Sequence, residues 1–104
     1  MTIVERIEND INSNRVMLYM KGIPAAPMCG FSGTVVKILQ QLDVEFGSAN
    51  VLEDMELREG IKKFADWPTI PQLYVDGNFI GGCDIVVEMY QSGELQSLLQ
   101  AKDA

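Results

Sequence analysis

The sequence predicts an α/β fold: one four-stranded mixed sheet with helices on both faces. Three observations predict it. Apolar runs too short for helices alternate with segments of helical periodicity. The first half of the chain contains a strand–helix–strand unit, which implies parallel strands joined by a right-handed crossover. The second half contains two short apolar stretches around a two-residue turn, the mark of an antiparallel hairpin. Helices on both faces then bury the sheet most economically.

The elements follow in order. Ile3, Ile7 and Ile11 recur every four residues with Val4 beside them, a helical face ended by Asn12-Ser13-Asn14. VMLYM at 16–20 is too short for a helix and reads as a buried strand. KGIPAAP is a loop, broken by Gly22, Pro24 and Pro27. Val35, Val36, Leu39 and Leu42 share one face of the next helix, with Lys37, Gln40 and Gln41 largely opposite and Asp43 at its end. VEFGSANV at 44–51 reads as a second, less regular strand. Asp54 is placed to N-cap a helix marked by Leu57, Ile61 and Phe64. Glu53 and Glu56 lie near its positive end, Lys62 and Lys63 near its negative end. LYV and NFI flank Asp76-Gly77, which favours a type I′ turn. DIVVEMY, ended by Ser92-Gly93, and ELQSLLQAK close the chain as two helices. Met17, Met20 and Met89 are expected in the core.

Residues 1–104 are expected to form one domain. A chain of this size hides roughly two thirds of its unfolded surface, enough for a core without staples. Fifteen acidic residues against eight basic ones give a formal net charge of −7, and the basic residues are dispersed. Phosphate backbones and anionic membranes require basic patches, so neither nucleic acid nor a membrane is an expected partner. No apolar run approaches the ~20 residues of a membrane span. The N-terminal segment lacks an apolar signal core, so the expected compartment is the cytoplasm, or an organelle matrix after removal of a transit peptide.

Two cysteines, Cys29 and Cys83, and no histidine are present. Without histidine there is no Cys–His or Ser–His nucleophile pair. Two cysteines cannot fill four-coordinate zinc alone. Cys29 sits between a proline-broken loop and an amphipathic helix, at the helix N-terminus. Unpaired backbone N–H groups and the helix dipole favour a thiolate there. Lys21, at the end of the preceding strand, is placed to add positive charge. These features outweigh the alternative of a small buried hydrophobe. In a Cys-x-x-Cys reading of CGFS, Ser32 occupies the position of the resolving thiol.

The segments KGIPAAPMCGFS, WPTIPQLYVDG and IGGCDI together resemble the glutaredoxin branch of the thioredoxin fold. Cys29-Gly30-Phe31-Ser32 is similar to the CGFS signature of monothiol glutaredoxins, and the resemblance spans essentially the whole chain. It implies a thioredoxin-like three-layer fold with Cys29 as the reactive thiol. It implies a cis bond before Pro71, with the Ile70 backbone N–H and C=O available to a passing peptide. It implies glutathione bound by Lys21 and Arg58 at its glycine carboxylate, and by the backbone around Cys83 and the Asp84 carboxylate at its γ-glutamyl end. Asp84 is also expected to cap the following helix. Trp67 reads as packing. The chain departs from many relatives at Ile23 and Gly33, and of these Ile23 is the one placed to alter the pocket wall.

Three functions are weighed, and one thiol with a glutathione site fits two of them, a cluster carrier and a thiol–disulfide oxidoreductase. The resemblance favours a carrier of a [2Fe–2S] cluster held by Cys29 and glutathione, dimeric with the cluster and monomeric without it. A BolA-like protein and apo iron–sulfur recipients are the implied partners. The alternative is a glutathione-dependent thiol–disulfide oxidoreductase acting through Cys29, and a third reading is a binding adaptor. Cys83 reads either as a small residue under a helix start or as a resolving thiol, with the former preferred.

Overall fold

The computed structural model describes residues 1–100. A four-stranded sheet has the order β4-β1-β5-β6, from β1 (Val16–Met20), β4 (Gly47–Asn50), β5 (Gln72–Val75) and β6 (Asn78–Gly81). β1 runs parallel to β4 and antiparallel to β5, and β5 and β6 form the expected hairpin. Asp76 and Gly77 both adopt positive φ (52° and 79°), as a type I′ turn requires.

Among the described residues five α-helices cover the sheet: α1 (Ile3–Ser13), α2 (Gly30–Gln41), α3 (Met55–Ala65), α4 (Cys83–Ser92) and α5 (Glu94–Gln100). β1 explains the layers. Val16, Leu18 and Met20 pack on one face against α2, α4 and α5, with Val35, Leu39, Val86 and Leu95. Met17 and Tyr19 point the other way, toward Ile7, Ile11, Leu57 and Ile61 of α1 and α3. All five β1 residues are therefore buried, and an apolar run without alternation is what a two-sided strand needs. Met89 packs at the margin of the first cluster.

Local chemistry sets the helix ends. Thr2 and Glu5 close a capping box at α1, and the Asp54 carboxylate accepts the Leu57 N–H at the start of α3 (3.1 Å). Gly93 ends α4 in the left-handed conformation. Ala101 and Lys102, expected in the last helix, lie outside the described residues.

Several expectations are corrected. The strand read over 44–51 spans only 47–50. Its start is trimmed because the Val44 N–H is committed to Leu39 O at the end of α2 (3.2 Å). Its end turns into a short 3₁₀ helix, Val51–Glu53, because the Asn50 side chain captures the Leu52 N–H (3.0 Å). The loop before Cys29 contains a small hairpin of β2 (Gly22–Ile23) and β3 (Ala26–Pro27). α2 ends at Gln41 with Leu42 as its cap, and Asp43 lies beyond it in the left-handed region. Asp84 does not cap α4. Gly82 is the N-cap residue, with no side-chain bond, and Asp84 is the second residue of the helix. There its carboxylate still meets the positive end of the helix.

Candidate functional site

Cys29 is the N-cap residue of α2 in extended conformation, and its side chain closes no capping hydrogen bond. The sulfur is left part-exposed at the mouth of the helix. Its pKa lies below that of an ordinary cysteine. The Ser32 backbone N–H is the main cause, partial burial opposes it, and the Phe31 N–H, the Lys21 charge and the Ser32 hydroxyl add to the lowering. Cys83 is shifted the other way, by burial first and then by the Asp84 and Cys29 charges. The two thiols thus sense one another: Cys29 is shifted toward the thiolate and Cys83 away from it.

Beside Cys29 lies a groove of about 430 Å³. It brings together Lys21, Arg58, Ile70, Cys83 and Asp84. Cys29 itself lines an adjoining open depression with Pro27, Met28, Gly30 and Lys37, and Phe31 forms the groove wall nearest to it in the chain. A larger groove of about 1070 Å³, by Asn14, Asp43 and Gln96, contains neither thiol and has nothing to do with this chemistry. Ile23 is half exposed and absent from the groove lining, so the pocket wall is not altered there. Gly33 has room for a side chain: an added Cβ would meet Pro27 at an ordinary 3.6 Å.

The loop across the groove is built by its neighbours. The Ile70–Pro71 bond is cis. Gln72, fully buried, donates through Nε2 to Trp67 O (3.1 Å) and Thr69 O (3.3 Å). Its Oε1 accepts the Tyr74 hydroxyl (3.1 Å). One side chain therefore ties the Trp67–Thr69 turn to the sheet. Trp67 packs on Phe79, ring centroids 5.5 Å apart. Gly82 allows the start of α4 to approach this loop; a Cβ there would lie 3.3 Å from both Pro71 O and Trp67 Nε1.

Sequence reasoning missed four contributors. Lys62 joins Lys21 and Arg58 in the groove. It follows Arg58 by four residues on one helix, and that spacing was the available signal. Trp67 is more than packing, since its indole N–H and the Arg58 Nε are buried without a hydrogen-bond partner. Two orphaned donors in the wall of one groove, with three cations, suit an anionic ligand bearing acceptors. Gln72 gave no pattern to read. Ser32, taken as a missing thiol, is fully buried, and its Oγ accepts the Lys21 N–H.

The fold and the site define a class: a thioredoxin-like protein with one activated thiol at a helix N-terminus, beside a groove containing a cis-proline loop. The glutaredoxin family model matches residues 16–80. A probable monothiol glutaredoxin 2 of Rickettsia conorii is 63 % identical over 95 residues, covering 91 % of this chain and 89 % of the relative. The solution structure of reduced apo GrxS14 from poplar superposes with a TM-score of 0.85 at 49 % identity, covering 95 % of this chain and 91 % of that one. A buckwheat glutaredoxin solved as a glutathione complex shares the fold (TM-score 0.85, 22 % identity, 95 % and 88 % covered). The chain belongs to the glutaredoxin family, in its monothiol branch. Among the described residues no helix is long and apolar enough to cross a membrane.

Proposed function

We propose that the protein binds glutathione in the Lys21–Asp84 groove and, as a pair of copies, carries a [2Fe–2S] cluster as cargo for apo iron–sulfur recipients. The observation that supports it best is the juxtaposition of a low-pKa, part-exposed Cys29 with a cationic groove holding two orphaned donors. Lys21, Arg58 and Lys62 would take the glycine carboxylate, the Ile70 backbone would pair with the tripeptide, and the backbone around Cys83 with Asp84 would take the γ-glutamyl end.

The residues fit such a cargo only with outside help. A [2Fe–2S] cluster takes four thiolate-type ligands. The described residues hold no group of three or more side chains able to bind a metal ion. Cys29 is the one thiol suited to the task, and a groove-bound glutathione would add a second sulfur beside it. Two copies then complete the set. Met28 and Phe31, 72 % and 63 % exposed beside Cys29, are the apolar surface a second copy or a BolA-like partner would cover. Glutathione held by charge and hydrogen bonds keeps the cargo labile. In this reading residues 1–104 act as one domain, in the cytoplasm or an organelle matrix, where glutathione keeps thiols reduced.

The lowered Cys29 pKa also favours a second reading, removal of glutathione from proteins. The Cys29 thiolate attacks the glutathionyl sulfur of a protein mixed disulfide, giving Cys29–S–S–glutathione and a protein thiolate. A free glutathione thiolate then attacks that glutathionyl sulfur, yielding oxidised glutathione and the Cys29 thiolate. Ser32 offers no thiol for this second displacement, so turnover depends on added glutathione.

Anaerobic reconstitution with iron, sulfide and glutathione separates the readings. The carrier reading expects a coloured dimer with about two irons per dimer that reverts to colourless monomer when glutathione is removed. Cys29→Ser should abolish the colour and Cys83→Ser should leave most of it. Bleaching by Cys83→Ser alone, or a cluster that survives complete removal of glutathione, overturns the ligand set.

A further inference from the structure

Lys21 stands just past the end of β1, outside the four-stranded ladder. Its peptide is nevertheless held on every side. The Lys21 N–H donates to Ser32 Oγ (3.1 Å), from the first turn of α2. The Lys21 carbonyl accepts the Met28 N–H (2.9 Å). The next N–H, of Gly22, donates to Asn50 Oδ1 (2.9 Å), and the same oxygen accepts the Leu52 N–H (3.0 Å). Two of these partners are side chains, drawn from elements on either side of β1. Ser32 is fully buried, so its hydroxyl has no water to turn to.

We propose that Ser32 and Asn50 are positioning residues, a two-sided clamp on the Lys21–Gly22 backbone that aims the Lys21 ammonium into the groove and toward the Cys29 sulfur. The proposal rests on the reading of the groove as the glutathione site. Its physical basis is simple. A lysine on a free loop spreads its charge over many backbone conformers, whereas a backbone held at two consecutive N–H groups leaves only side-chain freedom. Serine suits the clamp because a hydroxyl is a good acceptor within a short reach, and a thiol is a weak one. The CGFS serine therefore has a task of its own beyond the absence of a thiol. Asn50 has no contact with the thiol; it acts only through the backbone amides of residues 22 and 52.

Asn50 is consequently the clean probe. Glutathione affinity of the apo protein is measured by titration in wild type, Asn50→Ala, Lys21→Ala and the double variant. The midpoint of Cys29 alkylation against pH is followed in parallel. Asn50→Ala should weaken glutathione about three- to tenfold, the range of one ordinary hydrogen bond. It should also move the alkylation midpoint upward, toward that of Lys21→Ala. On the Lys21→Ala background Asn50→Ala should add nothing. An equal loss on both backgrounds, or an unmoved alkylation midpoint, overturns the clamp while leaving the groove reading intact. An unchanged affinity in Lys21→Ala overturns the groove reading and the clamp with it. If Asn50→Ala does not fold, Ser32→Ala in the same cycle tests the same coupling for glutathione affinity.

Discussion

Replacing Gly82 by alanine should destabilise the protein and weaken its groove together. Gly82 has φ −93° and ψ −163°, which alanine adopts without strain. Backbone entropy alone would then favour the substitution by about 0.4–1 kcal/mol. The added Cβ, however, would lie 3.3 Å from Pro71 O and 3.3 Å from Trp67 Nε1. Neither neighbour yields easily. Pro71 is buried, and the Trp67 ring packs at a tilt on Phe79. Overpacking of this kind costs about 1–3 kcal/mol, so at mid-range the steric effect wins and the net loss is about 1.3 kcal/mol. For a chain of this length that is a fall in Tm of roughly 5–10 °C. Gly30→Ala provides the control of opposite sign. Its Cβ would meet nothing within 4 Å in the first turn of α2, and it should raise Tm slightly through helix propensity. The assay is thermal unfolding followed by circular dichroism, with glutathione titration on the folded variants. An unchanged or raised Tm for Gly82→Ala would refute the close approach of α4 to the cis-proline loop.

Three further outcomes are expected. Alkylation against pH should show a Cys29 midpoint below that of free cysteine and a Cys83 midpoint above it; coincident midpoints in the Cys29→Ser and Cys83→Ser proteins would remove the asymmetry of the site. Gln72→Leu should cost about 1–3 kcal/mol by chemical denaturation, since it strands the buried Tyr74 hydroxyl and removes the donor from two part-buried carbonyls; a loss under about 0.5 kcal/mol would show that the turn holds without it. The Asp54 carboxyl is held below its ordinary pKa, chiefly by the Arg6 hydrogen bond and then by the Leu57 N–H. Its contribution is therefore present above the unfolded-state pKa and lost as pH falls through the folded one. Acid titration of stability should show this loss in wild type and not in Asp54→Ala.

Most of the fold was legible because its signals are local. Ile3, Ile7 and Ile11 announce a helix by spacing alone, and Asp76-Gly77 announces a hairpin by turn chemistry. The failures occur where a bond from elsewhere decides. The strand at 44–51 looked longer because nothing in VEF reveals that the Val44 N–H is already taken by α2. Asp84 looked like a cap because a residue type near a helix start does not say which glycine the helix begins after. The site divides in the same way. Cys29, Lys21, Ile70, Cys83 and Asp84 belong to recognisable segments, Arg58 came only with the family resemblance, and the structure brings all but Cys29 into one groove, with Cys29 at its side. Ser32 and Asn50 reach backbone groups distant in sequence, at Lys21 and Gly22, and Gln72 reaches the nearby carbonyls of Trp67 and Thr69; in each case a backbone partner leaves no pattern in the chain.

The opposed shifts of the two thiols bear on why one cysteine suffices. In a dithiol site the second thiol must itself become a nucleophile to expel the bound substrate. Cys83 is the only candidate here, and burial together with the neighbouring Asp84 carboxylate raises its pKa and disfavours its thiolate. A negatively charged Cys29 raises it further, so the two thiols resist being thiolates at the same time. In a Cys29 mixed disulfide Cys29 no longer carries its charge, but burial and Asp84 remain and still work against attack by Cys83. Glutathione from solution has neither handicap. Raising the pH should therefore increase the glutathione-independent resolution of Cys29–S–S–glutathione, and Asp84→Asn should increase it at fixed pH by removing the carboxylate charge that raises the Cys83 pKa. Released glutathione is counted after the preformed mixed disulfide is freed of excess thiol. If the rate is unaffected by Asp84→Asn and persists in Cys83→Ser, Cys83 has no part in resolution.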